Sequence, residues 1–290
     1  MNRAPAGGGN RRAHSILAAA ALTILSLGAA STEAQTLNFG SGGGDQPVEI
    51  FADNGIEWQQ EKLLFVARGN AKAVRGEVTV FGDELRAYYR EKEGGGSEIQ
   101  RLDAIGKVRI VSPTQKGFGE KAVYDVENAI LVLSGGRVRF QTEEDEITAD
   151  RQLEYWETKQ MAVARGNALA VREDKRLRAE IIVAYFRKDE NGKNKIFRVD
   201  AFDNVRIVTE TETATGDKGV YNVESGIATL TGSVKIARDG NTLDGCRAEV
   251  NLNTSVSKLF SCSQQRVRGV LHPSKGPAKS KDRPKGKTEQ

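Results

Sequence analysis

Hydrophobic and polar residues alternate along most of the chain, in short runs that polar pairs interrupt. Ala122, Tyr124 and Val126 are spaced two apart, the pair Glu127-Asn128 follows, and Leu131 and Leu133 resume the spacing. A period of two is typical of β-strands with one buried face. A polar pair between two such runs indicates a short antiparallel connection. Since no useful helical periodicity follows the first 34 residues, the pattern predicts an all-β protein.

An internal duplication with an offset of 97 residues organises these runs. Residues 66–71 (VARGNA) return unchanged as residues 163–168. The same offset maps residues 108–111 onto 205–208 and residues 123–127 onto 220–224. Three separate matches at one offset indicate two copies of one segment.

A finer unit of roughly thirty residues lies within each copy. Its first marker recurs at Trp58, Ala87, Tyr124, Tyr155, Tyr185, Tyr221 and Val250. Its second marker recurs at Gly69, Gly106, Gly135, Gly166, Asp203, Gly232 and Ser261, and we interpret it as a bend or bulge in each strand. Such a unit cannot bury its apolar face alone, so successive units must stack. The prediction is an elongated sheet folded over on itself, with unpaired strand edges at both ends.

The first 34 residues predict a signal peptide. Arg3, Arg11 and Arg12 precede an apolar stretch from Ile16 to Ala30, and Thr32-Glu33-Ala34 forms a small-residue cleavage site. Fifteen apolar residues fall short of the roughly twenty that span a bilayer. We therefore expect cleavage and export to the periplasm, with an uncleaved anchor as the alternative. The predicted domain limits are residues 1–34 (signal peptide), 35–47 (flexible lead), 48–271 (one β domain) and 272–290 (disordered basic tail).

Charge is concentrated at the two ends of the chain. Removal of the leader lowers the formal net charge from +4 to +2. The segment from Arg266 onward holds eight Lys and Arg against two acids, which leaves a body of about −4. The sequence pI near 9.0 therefore gives no support to a nucleic-acid groove in the fold.

Histidine and cysteine counts restrict the chemistry of the predicted domain. The two histidines are His14, in the leader, and His272, in the tail. With two cysteines in addition, the domain has no set of residues for a His-dependent triad or a Cys- and His-ligated zinc. We expect no cofactor and no metal. An exported polysaccharide lyase or hydrolase using the run Glu143 to Glu146, or a structural adhesion repeat, remains an alternative.

The repeat resembles that of a known family. Gly119-Glu120-Lys121-Ala122-Val123-Tyr124, continuing to Leu133-Ser134-Gly135, is similar to the OstA-type repeat of the LptA/OstA family, and the resemblance extends from about Val48 to Val270. It implies a twisted, open β-jellyroll whose hydrophobic groove accepts the acyl chains of lipopolysaccharide. It also implies a non-enzymatic bridge that moves lipopolysaccharide from the inner to the outer membrane.

The resemblance implies partners at both ends of the fold. These are inner-membrane LptC-like and outer-membrane LptD-like proteins, joined by edge-strand addition, and an end-to-end homo-oligomer. LptC and the N-terminal domain of LptD resemble the same fold. The predicted cleavage site disfavours an LptC-like anchored component, which stays open as an alternative. A chain ending at residue 290 disfavours LptD, which would continue into a large barrel.

Groove-lining candidates follow from the inward positions of the alternation. They are Ile56, Trp58, Leu85, Val108, Ile110, Tyr124, Leu133, Leu153, Tyr155, Val183, Tyr185, Val205, Ile207, Tyr221, Leu230 and Val250. The same residues would also fit a dry, closed sandwich core. Cys246 and Cys262 flank a predicted turn in a compartment that permits disulfides. Their alternation places them on opposite faces, which opposes pairing, so the disulfide stays open.

Overall fold

The computed structural model describes residues 47–92, 94–190, 194–254, 256–262 and 266–272. The predicted signal peptide, most of the lead and nearly all of the basic tail lie outside these residues. All of the described residues belong to one compact unit, Glu33–Gln290. Over them the chain is almost entirely β-strand, with one short 3-10 helix at Gln60–Lys62, which confirms the predicted all-β class.

Eighteen strands run through the described residues, and every pairing between them is antiparallel. Their bounds are β1 Glu49–Phe51, β2 Ile56–Gln59, β3 Leu64–Arg75, β4 Val78–Glu91, β5 Ser97–Val111, β6 Lys116–Asp125, β7 Ile130–Ser134, β8 Val138–Gln141, β9 Asp145–Ala149, β10 Gln152–Trp156, β11 Met161–Arg172, β12 Lys175–Lys188, β13 Asn194–Val208, β14 Thr213–Asn222, β15 Ile227–Arg238, β16 Asn241–Asn251, β17 Val256–Phe260 and β18 Arg268–Val270.

The strands form two layers because the long strands bend in the middle and contribute one half to each. The first layer begins with β2 paired to β3, passes through β7 and β10, and finishes with β17 on β16. The second layer begins with β1 on β3, passes through β8 and β9, and finishes with β18 on β16. In the centre the pairings β6–β7–β10–β11–β9–β8–β6 close a ring of six strands. This is a β-jellyroll, as expected.

In β3, β5, β11, β13 and β15 the bend lies at the predicted second marker, whereas Gly135 lies between β7 and β8 and Ser261 follows β17. In β3 the pairing register shifts between Arg68 and Ala71, where Gly69 and Asn70 have φ angles of 81° and 42°. Glycine adopts positive φ without a steric cost, and asparagine tolerates it better than most residues. A Cβ at Gly69 would also lie 2.6 Å from Nδ2 of Asn54. The interpretation of this marker as a bulge is therefore confirmed at Gly69.

The same pair of left-handed residues recurs down the fold. Register shifts coincide with Gly106-Lys107, Gly166-Asn167, Asp203-Asn204 and Gly232-Ser233. Because these bulges lie beside one another on neighbouring strands, the bends align along one edge of the two layers, which we call the corner. Apolar residues of both layers face each other beside it. Many of them are alanines, including Ala71, Ala149, Ala168 and Ala248, each with no exposed surface.

On the outer face of the first layer, arginines form ion pairs with buried aspartates. Arg101 Nε lies 2.6 Å from Asp103, and Arg198 Nε lies 2.6 Å from Asp200, 97 residues later. Hydrogen bonding to these carboxylates raises the pKa of both guanidinium groups. The duplication has therefore preserved the polar surface of this layer as well as its apolar one.

Candidate functional site

Two apolar cavities lie between the layers. The N-terminal cavity, of about 400 Å³, is bordered by residues of β1 to β7. The central cavity, of about 410 Å³, is bordered mainly by residues of β7 to β13. Leu131 of β7 borders both, and neither cavity is fully enclosed. Volumes of this size fall within the range of small-molecule sites.

The walls of the two cavities share residues at equivalent positions of the duplication. Eleven of the 21 residues around the N-terminal cavity have a counterpart 97 residues later around the central one. The equivalent pairs include Ile50 and Ile147, Ile56 and Leu153, Ala67 and Ala164, Leu85 and Ile182, Ala87 and Ala184, Tyr89 and Phe186, and Ile99 and Ile196. The duplication has therefore repeated an apolar cavity along the axis on which the strands stack.

Aromatic rings line part of each wall. In the central cavity, Tyr155 of β10 meets Phe186 of β12 edge to face, with ring centroids 6.1 Å apart. In the first copy, Phe65 packs between Trp58 and Tyr89, at 5.2 and 5.7 Å. Trp58 Nε1 donates a hydrogen bond of 2.6 Å to the Tyr89 hydroxyl. Aromatic contacts of this kind give a rigid apolar surface with polar groups at its margin.

Charged residues lie at one margin of the central cavity. The guanidinium group of Arg172 donates two hydrogen bonds of 2.6 Å to the Asp145 carboxylate, and these bonds raise the pKa of Arg172. Glu144 and Lys195 border the cavity nearby. Of the acidic run suggested for catalysis, Asp145 is thus engaged in an ion pair.

A buried carboxylate supports the wall beside the aromatic pair. Glu154 lies on the outer face of β10 and accepts hydrogen bonds from Arg165 (2.6 Å), Gln152 (2.7 Å) and Trp156 (2.8 Å). Burial is the largest single influence and opposes ionisation, but the three donors together outweigh it and lower the pKa of Glu154. This carboxylate therefore anchors β10 to β11 in its charged form.

The described residues contain no group of three or more His, Cys, Asp or Glu side chains that could hold a metal ion. Within the same ranges, no helix has the length and apolarity needed to cross a bilayer.

The duplication also appears in comparison with known families. The family described as "LptA/(LptD N-terminal domain) LPS transport protein" matches the chain twice, over residues 49–155 and 146–256. The two matches begin 97 residues apart and together extend over more than half of the 290 residues. The chain belongs to this family. The resemblance seen in the OstA-type repeat is therefore confirmed.

Individual proteins are similar to this LptA/LptD-type chain over different lengths. An uncharacterized protein of Rhizobium meliloti (strain 1021) is 32% identical over 130 residues, which are 43% of this chain and 64% of that protein. The chain thus spans about 64% of the length of that curated relative. The crystal structure of LptH, the LptA homologous periplasmic component of the lipopolysaccharide transport device of Pseudomonas aeruginosa, matches with 12% identity and a TM-score of 0.21. That match covers 79% of this chain and 96% of that one.

Seven of the sixteen predicted groove residues border a cavity in this LptA/LptD-type fold. Ile56, Leu85, Ile110 and Tyr124 line the N-terminal cavity, and Leu133, Leu153 and Tyr155 line the central one. A second group is packed into the core without bordering either cavity. It comprises Val108, Val205, Ile207, Tyr221, Leu230 and Val250. Five of the six lie on β13 to β16, beyond the two cavities.

The side chains of two predicted groove residues lie on the outer face of the first layer instead of facing the cavity. Val183 and Tyr185 lie on the face of β12 opposite to Ile182 and Ala184, which belong to the cavity wall. The Tyr185 ring packs beside Phe197, under the guanidinium group of Arg198. A shift of one residue transfers a strand's side chains to its other face. Aligning tyrosines introduced that shift, whereas the 97-residue offset from Leu85 and Ala87 gives the correct residues.

Trp58 also departs from its expected position. It lies on the edge strand β2, where 58% of its surface is exposed, and it borders neither cavity. Conversely, the sequence interpretation missed Val48, Ile50, Phe140 and Ile147, which do border the cavities. Two of these residues could have been found from the sequence, because Ile50 and Ile147 lie 97 residues apart in alternating runs.

Cys246 and Cys262 are paired as a disulfide, with Cα atoms 5.4 Å apart. The parity argument against this bond was wrong. The register pairs Thr231 with Arg247 and Val234 with Gly245, so Cys246 lies opposite the two bulged residues of β15. Simple alternation does not continue through such a bulge. The bond ties the segment that follows β17 to the corner of β16.

Proposed function

We propose that the mature chain is a non-enzymatic periplasmic carrier that holds the acyl chains of lipopolysaccharide between its two layers. It would help to move the lipid from the inner towards the outer membrane. One observation carries the proposal: at equivalent positions of the duplicated segment, the space between the layers is left open as two cavities with apolar walls. A protein that needed only a stable sandwich would gain by filling this space, since interiors are normally close-packed.

Acyl chains are suited to these cavities on energetic grounds. Each methylene withdrawn from water contributes about 0.8 kcal/mol, so a chain of a dozen carbons gains on the order of 10 kcal/mol. Alternation along the strands supplies a continuous apolar wall, because every second side chain faces inward. The shared border residue Leu131 leaves the two cavities adjacent along the direction in which strands are added.

The strand edges support contact with partners at both ends. Strands β1 and β2 at one end, and β17 and β18 at the other, each pair with a neighbour on one side. Large hydrophobic side chains are exposed on these strands, namely Phe51, Ile56 and Trp58 at the first end and Val256 and Phe260 at the second. Unpaired edges with apolar side chains favour strand addition. We assign them to LptC-like and LptD-like partners, or to further copies of the chain.

A binding experiment with matched lipids tests the carrier role. Mature protein would be titrated with lipid A and with its fully deacylated form, which keeps the phosphorylated sugars. We expect measurable affinity for the acylated form alone, because the sugars have no apolar chains to place in the cavities. Equal affinity for the two forms would overturn the proposal. In cells, depletion of the protein should make lipopolysaccharide accumulate at the inner membrane.

A further inference from the structure

One row of side chains crosses the whole outer face of the second layer. The pairing register sets its members opposite one another from strand to strand, and each belongs to a different strand. The row runs Phe51, Lys72, Phe81, Arg109, Phe118, Arg139, Thr148, Leu169, Arg178, Arg206, Thr215, Lys235, Asp244 and Arg268. Neighbouring strands are about 4.8 Å apart, so the row is roughly 60 Å long.

Positive charge dominates this row, which we call the cationic row. Seven of its members are Lys or Arg, one is an acid, and six of the seven cations are exposed. In most of the row a cation stands on every second strand, which spaces the charges about 10 Å apart. None of the seven forms an ion pair with a carboxylate within the described part of the chain. Arg178 donates to the amide oxygen of Asn167, which leaves its charge uncompensated.

The first layer differs in this respect. Its outer arginines Arg101, Arg165 and Arg198 are paired with the buried acids Asp103, Glu154 and Asp200. In the cationic row, aromatic rings hold several cations in place instead. Arg109 lies 4.0 Å from the centroid of Phe81, and Arg139 lies 4.4 Å from that of Phe118. A cation over a ring is positioned but keeps its full charge.

The charges that flank the row limit the shape of its ligand. On the corner side, acids outnumber bases at the positions two residues from members of the row. The acids are Asp53, Asp83, Glu120, Asp150, Glu180 and Asp217, and the bases are Lys107, Arg137 and Arg266. On the other side, the neighbouring row carries two acids, Glu49 and Glu146, and two bases, Lys116 and Arg176, so its net charge is zero. A flat anionic surface would also meet the carboxylates of the corner side, whereas a chain one strand wide would meet the seven cations of the row and one acid, Asp244.

We propose that the cationic row binds a linear, carboxylate-bearing polysaccharide that lies across the strands of the second layer. An extended polysaccharide with one carboxylate on every second sugar presents its charges at nearly the spacing of the cations. Nucleic acid is disfavoured, because single strands bind through base stacking on several free aromatic faces, whereas the rings of Phe81 and Phe118 are covered by Arg109 and Arg139. The site is separate from the cavities between the layers and does not depend on their function.

A recess at the C-terminal end of the row adds a second observation. Lys235, Arg266 and Arg268 converge with Ser233 and Asp244 around a surface depression of about 310 Å³, beside Cys262. Three cations around one depression can surround an anionic group, with the serine hydroxyl as a further donor. This recess would hold one end of the bound polysaccharide.

Titration with hyaluronan oligosaccharides, which carry one carboxylate per disaccharide, tests the proposal on the full mature chain. The variant Arg109→Gln/Arg139→Gln/Arg206→Gln removes three cations of the row. We expect about fivefold weaker binding for each cation lost, and on the order of a hundredfold for all three. Arg→Lys at the same positions should retain most of the affinity, and added salt should weaken it. Thermal unfolding of each variant confirms that the fold is intact.

The matched control is Lys121→Gln/Lys218→Gln/Lys258→Gln, which removes the same charge from exposed positions of the first layer. It should bind hyaluronan as the unmodified chain does. Equal losses in the two triple variants would reduce the effect to net charge and overturn the proposal. So would failure to bind hyaluronan, or an equal response with single-stranded DNA or phosphatidylglycerol vesicles. Lipid A binding should be unchanged in both variants, which separates this site from the carrier role.

Discussion

Ala87 and Ala184 lie 97 residues apart in the chain and occupy the same place in the walls of the two cavities. Ala184→Leu would extend a side chain into the central cavity. If acyl chains occupy that space, the substitution displaces about two of their methylenes, which corresponds to roughly tenfold weaker lipid A binding. Because open space is available, the free energy of unfolding should change by less than about 1 kcal/mol. Lipid titration and urea unfolding measure the two effects.

Ala228 provides the control for this substitution. It is 1% exposed, belongs to the C-terminal part of the core and borders neither cavity. Ala228→Leu should overpack its surroundings and lower the unfolding free energy by about 1–3 kcal/mol, with lipid binding retained in the folded fraction. Unchanged lipid affinity in Ala184→Leu would contradict occupation of the central cavity.

Glu154 makes the stability of the fold depend on pH. Its pKa is lowered from the ordinary value of 4.5, so its ionised form stabilises the folded state. This contribution is complete above pH 4.5, and it is lost as the pH falls through the lower pKa of the folded state. At neutral pH, Glu154→Gln should cost about 1–3 kcal/mol, and the difference should shrink on acidification. The exposed Glu127→Gln should leave the free energy of unfolding at neutral pH nearly unchanged. A gap for Glu154→Gln that stays constant from pH 7 to pH 3 would argue against this role.

The disulfide should stabilise the C-terminal end of the fold. Cys246 and Cys262 are separated by 16 residues, and a cross-link over a loop of about that length contributes roughly 3 kcal/mol. Cys246→Ser/Cys262→Ser should lower the unfolding free energy by about that amount. The unmodified chain should fall to the same value when it is reduced with dithiothreitol. If reduction left its unfolding free energy unchanged, the bond would have no such effect.

Assembly at the C-terminal edge depends on β17. This strand covers one side of β16, where Val250 pairs with Ser257 of β17. Val256→Lys/Phe260→Lys places charges on the exposed edge and should weaken end-to-end association by about tenfold or more. Val220→Lys, at a similarly exposed position inside the layer, should leave it intact. Sedimentation at increasing concentration distinguishes the two, and equal behaviour would remove the edge from the interface.

The duplication and the bends were predictable from sequence because each has a local cause. Gly69 and Gly166 mark bulges that require positive φ, and alternation identifies the buried face of most strands. The cavities were not predictable in the same way. Leu133 and Leu230 are equivalent in the repeat and both buried, yet Leu133 borders the central cavity and Leu230 borders neither of the two cavities. Whether space remains depends on side-chain volumes from both layers, which one strand's pattern does not contain.

Register accounts for the remaining differences. Val183 and Tyr185 were assigned to the wrong face by a shift of one residue, and Cys246 by a bulge on the neighbouring strand. The cationic row shows the same limit, since Arg109 and Arg206 are far apart in sequence and join one row only through the pairing of several strands. Long-range pairing of this kind is specified by the fold as a whole.

Photo-crosslinking from the cavity wall tests lipid occupancy most directly. A photoreactive residue would replace Tyr155, which borders the central cavity, or Lys121, which is exposed on the outer face of the first layer. With lipid A present, we expect a crosslinked lipid adduct from position 155 and none from position 121. Adducts from position 121 alone would contradict the placement of acyl chains between the two layers.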